Sequence, residues 1–339
     1  MSRAQLPGQL KLSIMNQKIQ FTRVINIILV IILIGILVFG WWYLNQKNPL
    51  DMIGRIVSPR SVKPRYLFSI YGNTTSNLNR PSYTTVNRDK IYVADTNHSR
   101  IVVFNYKGQY LSDFGQTGQG KLQYPVDICF VGEQIFIADI GTKKIHVFKL
   151  DGSFLGYFAE KGASFPASIF YNEQKFYVID RAQMNVEIFD SNGKEIMAFG
   201  KLGMGPGEFY FPYSIFVKNE KIYIADSNNN RIQIFDKQGK LLKILLGNDS
   251  TGQGKYAVPR GTAFDENGNL YTAEGLINSI SITNPEGQVV SRFRYAEPSK
   301  QANGVEDEIN LPTSVFIDDN QRLYVTEFGK SRVIVYQIP

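Results

Sequence analysis

One segment recurs six times along the chain, and this repetition restricts the fold more than any other feature. Lys90-Ile-Tyr-Val-Ala-Asp95-Thr-Asn-His-Ser-Arg100-Ile-Val-Val-Phe104 returns almost unchanged as Lys221-Ile-Tyr-Ile-Ala-Asp226-Ser-Asn-Asn-Asn-Arg231-Ile-Gln-Ile-Phe235. Shorter versions are Gln134-Ile-Phe-Ile-Ala-Asp139, Lys175-Phe-Tyr-Val-Ile-Asp180, Asn269-Leu-Tyr-Thr-Ala-Glu274 and Arg322-Leu-Tyr-Val-Thr-Glu327. A proline stands 14 or 15 residues before each acid (Pro81, Pro125, Pro166, Pro212, Pro259, Pro312), and successive prolines are 41 to 53 residues apart. A unit repeated at such a period builds a solenoid, an array or a propeller.

The strand pattern selects the propeller. Each repeat reads as four short strands: one after the proline, the Ile-Tyr-Val-Ala-Asp segment, the Arg-Ile-Val-Val-Phe segment, and a last one after a glycine turn such as Lys107-Gly108 or Asn192-Gly193. Strand, tight turn, strand at this spacing is an antiparallel meander. Six four-stranded sheets repeated radially form a six-bladed propeller, an all-β fold. The last repeat ends after its third strand, whereas Tyr66-Leu-Phe-Ser-Ile-Tyr71 precedes the first proline without a partner. The expectation is that this N-terminal strand completes the last blade and closes the ring, because open sheet edges invite aggregation.

Ahead of the repeats, residues 27–44 carry no charge or amide. As a helix they would reach about 27 Å, close to the hydrocarbon thickness of a bilayer. Trp41, Trp42 and Tyr43 would sit at one interface. The predicted organisation is a short basic cytoplasmic tail (1–23), an uncleaved single-pass transmembrane helix (24–44), a proline-bearing tether (45–65) and the propeller (66–339). Lys/Arg near the two ends of the span are tied at four each, so orientation rests on the usual behaviour of a single N-terminal anchor. That places the propeller outside the cytoplasm.

The net charge of +7 is misleading, because residues 1–50 hold five Lys/Arg and no acid. The remainder is nearly neutral and carries no footprint for nucleic acid. Cys129, the single cysteine, lies in an apolar strand and excludes an intrachain disulfide; the two histidines exclude a multi-histidine metal site. The glycine runs at 115–120, 200–207 and 247–254 precede a proline and a strand, so no helix N-terminus follows to hold a phosphate.

Pro81 to Phe104 and Pro212 to Phe235, with the turns Asp95-Thr-Asn-His-Ser-Arg100 and Asp226-Ser-Asn-Asn-Asn-Arg231, resemble the NHL-repeat family of six-bladed propellers over about residues 66–339. The turns of the third and fifth repeats, Asp180-Arg-Ala-Gln-Met-Asn185 and Glu274-Gly-Leu-Ile-Asn-Ser279, depart from that pattern. Family members bind protein, bind RNA or, in a few relatives, catalyse, so the resemblance implies a fold and leaves function to the site. The six acids Asp95, Asp139, Asp180, Asp226, Glu274 and Glu327 stand just before a turn, where a carboxylate accepts backbone N–H bonds of the following loop; their expected role is structural. Arg100, Lys144, Arg231 and Arg332, five residues on, are their expected ion partners. Residues adjoining the prolines vary in character and are expected to ring the axis: Arg80, Tyr83, Tyr124, Asp127, Tyr210, Phe211, Tyr213 and Arg260. Tyrosine and arginine are typical hot spots, so the sequence points to a monomeric binding or scaffold propeller that takes a protein, peptide or envelope polymer, without cofactor or metal. The alternative that the resemblance leaves open is a calcium-dependent lactonase- or esterase-like hydrolase, for which Asp127 is the one carboxylate close behind a proline.

Overall fold

The computed structural model describes residues 64–73, 75–159, 162–296 and 307–339. The predicted tail and transmembrane helix lie outside the described residues, as do most of the tether and residues 297–306. Among the described residues no helix is long and apolar enough to cross a membrane. The described chain is a six-bladed propeller of antiparallel four-stranded sheets. In blade 1, Tyr83–Asn87, Lys90–Asp95, Arg100–Asn105 and Tyr110–Phe114 run from axis to rim. The same order repeats in the next four blades.

Each middle strand is apolar on both faces because each sheet is sandwiched between two neighbours. In Lys90–Asp95 every residue after Lys90 is buried. Ile91 and Val93 pack toward blade 6, and Tyr92 and Ala94, one residue out of phase, pack toward blade 2. The core is therefore six clusters, one in each gap between blades. Three residues before the prolines, Leu78, Leu122, Phe209, Tyr256 and Ile309 are buried plugs at these gaps. Cys129 is only half-buried, against the cluster between blades 2 and 3. Between inner and second strands, Arg88-Asp89, Glu173-Gln174 and Asn219-Glu220 hold positive φ at both central turn positions. That twist matches the hairpin, although glycine or asparagine is the commoner occupant.

Ring closure follows the expectation, with the strand beginning one residue earlier. Arg65–Ile70 pairs antiparallel with Arg332–Gln337, giving the order first strand, last strand, Arg322–Glu327, Pro312–Ile317. Arg65 lies opposite Gln337, so the chain enters the propeller on the face that carries the turn at Asp318–Arg322.

The six repeated acids have a more specific role than the turn preference suggested. Each is buried and accepts the N–H of the residue two before its proline: Asn79 (2.6 Å), Gln123 (2.7 Å), Ser164 (2.6 Å), Tyr210 (2.8 Å), Ala257 (2.8 Å) and Asn310 (2.6 Å). They fasten the incoming connector, 16 or 17 residues earlier, to the end of the second strand. Only Asp139 and Asp180 also accept backbone N–H groups of the following loop. Arg100 (2.7 Å), Arg231 (2.8 Å) and Arg332 pair with the acid five residues back. Lys144 does not pair with Asp139; its Nζ lies 3.9 Å from the Tyr157 ring centroid. Glu274 instead pairs with Arg292 from the outer strand at 2.9 Å. A neutral Ser279 at the usual position leaves that site to a longer side chain from farther out.

Candidate binding site at the mouth of the axis

The six fastened connectors and the six turns between second and third strands share one face. Backbone bonds of 3.0 to 3.2 Å tie each turn to its connector, for example Asn97 N–H to Asn79 O and Arg181 N–H to Phe165 O. The axis beneath is nearly closed. A cavity of about 20 Å³ remains between Tyr83, Asp127, Ser168, Tyr213, Thr262 and Ser314, among others, room for about one water. Small hydroxyls seal it: Thr96 Oγ1 donates to Ser82 Oγ (2.7 Å), Thr326 Oγ1 to Thr84 Oγ1 (2.8 Å) and Ser314 Oγ to Thr326 Oγ1 (2.8 Å).

The sequence-predicted residues divide into two layers. Tyr83 and Asp127, expected on the rim, line the axial cavity below it, and Tyr213 borders both that cavity and the layer above. Asp127 is buried and saturated: Oδ1 accepts from Ile128 N (2.8 Å), and Oδ2 from Ser168 Oγ (2.6 Å) and Ile169 N (3.0 Å). Burial pushes its carboxyl up to about 7 against those three donors, and burial with the nearby Asp127 raises the Tyr83 hydroxyl. With both oxygens occupied, Asp127 has little left to offer a ligand.

The upper layer is made of cations and rings. Arg80, Tyr210 and Phe211 are exposed, and Tyr124, Tyr213 and Arg260 are half-buried. Tyr213 gathers the group: the guanidinium carbons of Arg181 and Arg260 stand 5.1 and 5.3 Å from its ring centroid. Arg181 also lies 4.7 Å from the Phe211 ring, and Arg80 lies 5.4 Å from that of Phe328. Each contact is a cation–π attraction, with little competing water where the ring is half-buried. Tyr124 adjoins Tyr213 and Arg80; its hydroxyl is raised by burial and by Tyr213, while Arg80 pulls the other way.

Arg80, Arg181 and Arg260 have no carboxylate partner among the described residues. Arg181 Nε donates only to Pro212 O at 3.3 Å. Its guanidinium is held below its ordinary value by burial, with the neighbouring Arg260 charge acting in the same direction. The Nε of Arg260 is buried without a hydrogen-bond partner. It rests on Gly275, where an added Cβ would lie 2.7 Å from it. Unpaired charge out of water costs stability unless something compensates it. Arg80 and Phe211 hold positive φ (51° and 60°), but so do Val258 and Leu311 at the same place before their prolines. The strain belongs to the repeated connector.

Reasoning from the prolines alone missed Arg181, Leu276 and Phe328, which come from the turns. Arg181 and Leu276 lie in the two turns whose sequences break the repeat. The conforming turns, Thr96–His98 and Ser227–Asn229, close as 3₁₀ turns instead. The departure from pattern was the available signal.

A family model described as a 6-bladed beta-propeller matches residues 74–157 and 165–243. No curated protein matches the sequence. Among solved structures, a streptogramin B lyase superposes with a TM-score of 0.57 at 13% identity, covering 80% of this chain and 98% of that one. Virginiamycin B lyase from Staphylococcus aureus, a catalytically inactive form with quinupristin, gives 0.55 at 14% identity, covering 82% and 100%. An auxiliary nutrient binding protein from Bacteroides thetaiotaomicron gives 0.61 at 14%, covering 80% and 75%. At these identities the likeness is one of fold.

Proposed function

We propose that this chain is a membrane-tethered, NHL-type binding propeller whose mouth captures a protein, peptide or envelope ligand outside the cytoplasm. The observation that carries the reading is the upper layer of the mouth. Three arginines from blades 1, 3 and 5 stand among aromatic rings with no carboxylate partner among the described residues, above an axis with room for about one water. Such a surface suits recognition by contact, with arginine and tyrosine as anchors. The propeller fold is shared with a binding protein and with lyases, so the fold does not choose between them. Among the described residues no three His, Cys, Asp or Glu side chains group as metal ligands.

The first strand of the propeller begins at the face opposite the mouth. Protease added to intact cells is expected to cut the propeller; protection there would place it in the cytoplasm. The binding reading is tested by photo-crosslinking in cells. p-Benzoylphenylalanine replacing exposed Tyr210 on the mouth is expected to yield a discrete adduct, and the same group replacing exposed Lys107 on the opposite face is not. An adduct pattern identical at both positions, or none at Tyr210, would count against the mouth as the binding surface.

A further inference from the structure

We propose that the mouth recognises an acidic peptide segment, its carboxylate held by Arg181 and Arg260 and its adjoining apolar side chain seated in a groove between blades 5 and 6. This rests on the binding reading above and adds the chemistry of the ligand. The groove has a volume of about 350 Å³ and is lined by Val258, Arg260, Gly275, Leu276 and Leu311, together with Asn278 and Asn310. That volume is near the small end of ligand sites. Leu276 is 70% exposed, an apolar side chain left in water beside a cation with no counter-ion. The deviant fifth-repeat turn creates both features at once, since Gly275 makes room for the guanidinium and Leu276 supplies the apolar wall.

Charge complementarity selects the anion. Both guanidinium carbons lie within 5.3 Å of the Tyr213 ring centroid and neither has a carboxylate partner among the described residues, so a carboxylate brought to this ring meets the unpaired N–H forks of Arg181 and Arg260. Guanidinium forks match carboxylates in shape as well as charge, and the bonds are charge-assisted. The mutual repulsion of the two unpaired cations is compensated when the anion arrives. Nucleic acid fits less well. Single strands are held by a groove of cations along the backbone and by free ring faces for stacking. Here two of the three cations stand at the Tyr213 ring, which is then not free for a base to stack on.

The test uses the full chain in detergent and fluorescein-labelled hexapeptides in which Asp or Glu alternates with Leu or Phe. Matched Asn/Gln peptides and labelled oligouridylate serve as comparisons, all read by anisotropy. The acidic series is expected to bind at least about tenfold more tightly than the amide series. Arg260→Met and Arg181→Met should bring the two series together while leaving the melting midpoint unchanged or higher, since each removes an unpaired charge and keeps an apolar stem. Leu276→Glu, at an exposed position, should lower capture of the acidic series by a similar factor. Equal binding of acid and amide peptides, or an acid preference that survives both arginine replacements, overturns the proposal. So does oligouridylate outcompeting the peptides. If these results coincide with a Tyr210 adduct, the mouth still binds but by other chemistry; if the adduct is also missing, both readings fall.

Discussion

A full chain lacking residues 64–71 is expected to have no cooperative unfolding transition and to aggregate. The deletion removes the outer strand of blade 6, so Arg332–Gln337 loses its whole ladder with Arg65–Ile70. It removes Ile70, which is 2% exposed, and with it Leu67 and Phe68 from the cluster that joins blade 6 to blade 1. Fully burying one such side chain stabilises a fold by about 1.5–3 kcal/mol. Tyr66 also meets Tyr336 edge-on at 6.3 Å, and Tyr71 accepts a hydrogen bond from Arg332 Nη1 at 3.0 Å. Together these losses are comparable with the roughly 5–15 kcal/mol that separates a folded domain from its unfolded chain. The freshly unpaired strand is also an aggregation template. Thermal melting by circular dichroism, with light scattering, reads the outcome. A cooperative transition within a few degrees of the parent would mean that the ring does not depend on this clasp.

Asp226→Ala is expected to cost about 3–5 kcal/mol, the range for leaving one partner of a buried ion pair uncompensated. Asp226 is fully buried. Its Oδ2 accepts from Arg231 Nε (2.8 Å), Asn229 Nδ2 (2.9 Å) and Gln233 Nε2 (3.1 Å), and its Oδ1 from Tyr210 N (2.8 Å). Alanine takes an acceptor from all four donors: Asn229 Nδ2 and Gln233 Nε2 keep the Gly203 and Glu208 carbonyls, Tyr210 N is left bare, and the buried Arg231 guanidinium keeps only the Gly205 and Glu208 carbonyls. The melting midpoint should fall by roughly 10 °C. Replacing Arg231 by Met in the same chain should recover part of the loss, because it removes the stranded charge; such neighbours are not additive. Since Tyr210 N is one of the stranded donors, photo-crosslinking from Tyr210 should weaken even where the protein stays folded. Urea unfolding of the two single variants and the double variant measures the coupling. A cost below 1 kcal/mol for Asp226→Ala would show that the acid is not what fastens the connector.

The two variants probe features of unequal visibility in the sequence. Blade number, strand order and the borrowed strand were all readable, since each depends on a pattern that recurs within some fifty residues. The acids were readable as structural, but their partners were not. The N–H that each accepts lies 16 or 17 residues upstream, across a strand and a turn, and only folding brings it within 2.6–2.8 Å. Lys144 shows the same limit, for it occupies the partner position of Asp139 yet lies against Tyr157. In the mouth, a place beside a proline located Tyr213 and Arg260 correctly in the chain, but it could not separate the rim from the sealed layer holding Tyr83 and Asp127.

By itself, the sequence determined a closed ring of six antiparallel sheets, because hydrophobic period and turn chemistry act between residues that are near one another along the chain. Tertiary structure alone decided that Arg181, Tyr213 and Arg260 meet, and that no carboxylate among the described residues meets them. These side chains come from three successive blades, and their contact depends on how sheets with insertions of different length fan around the axis. Cation–π attraction and unpaired charge act over a few ångströms of space, a distance that chain order does not encode.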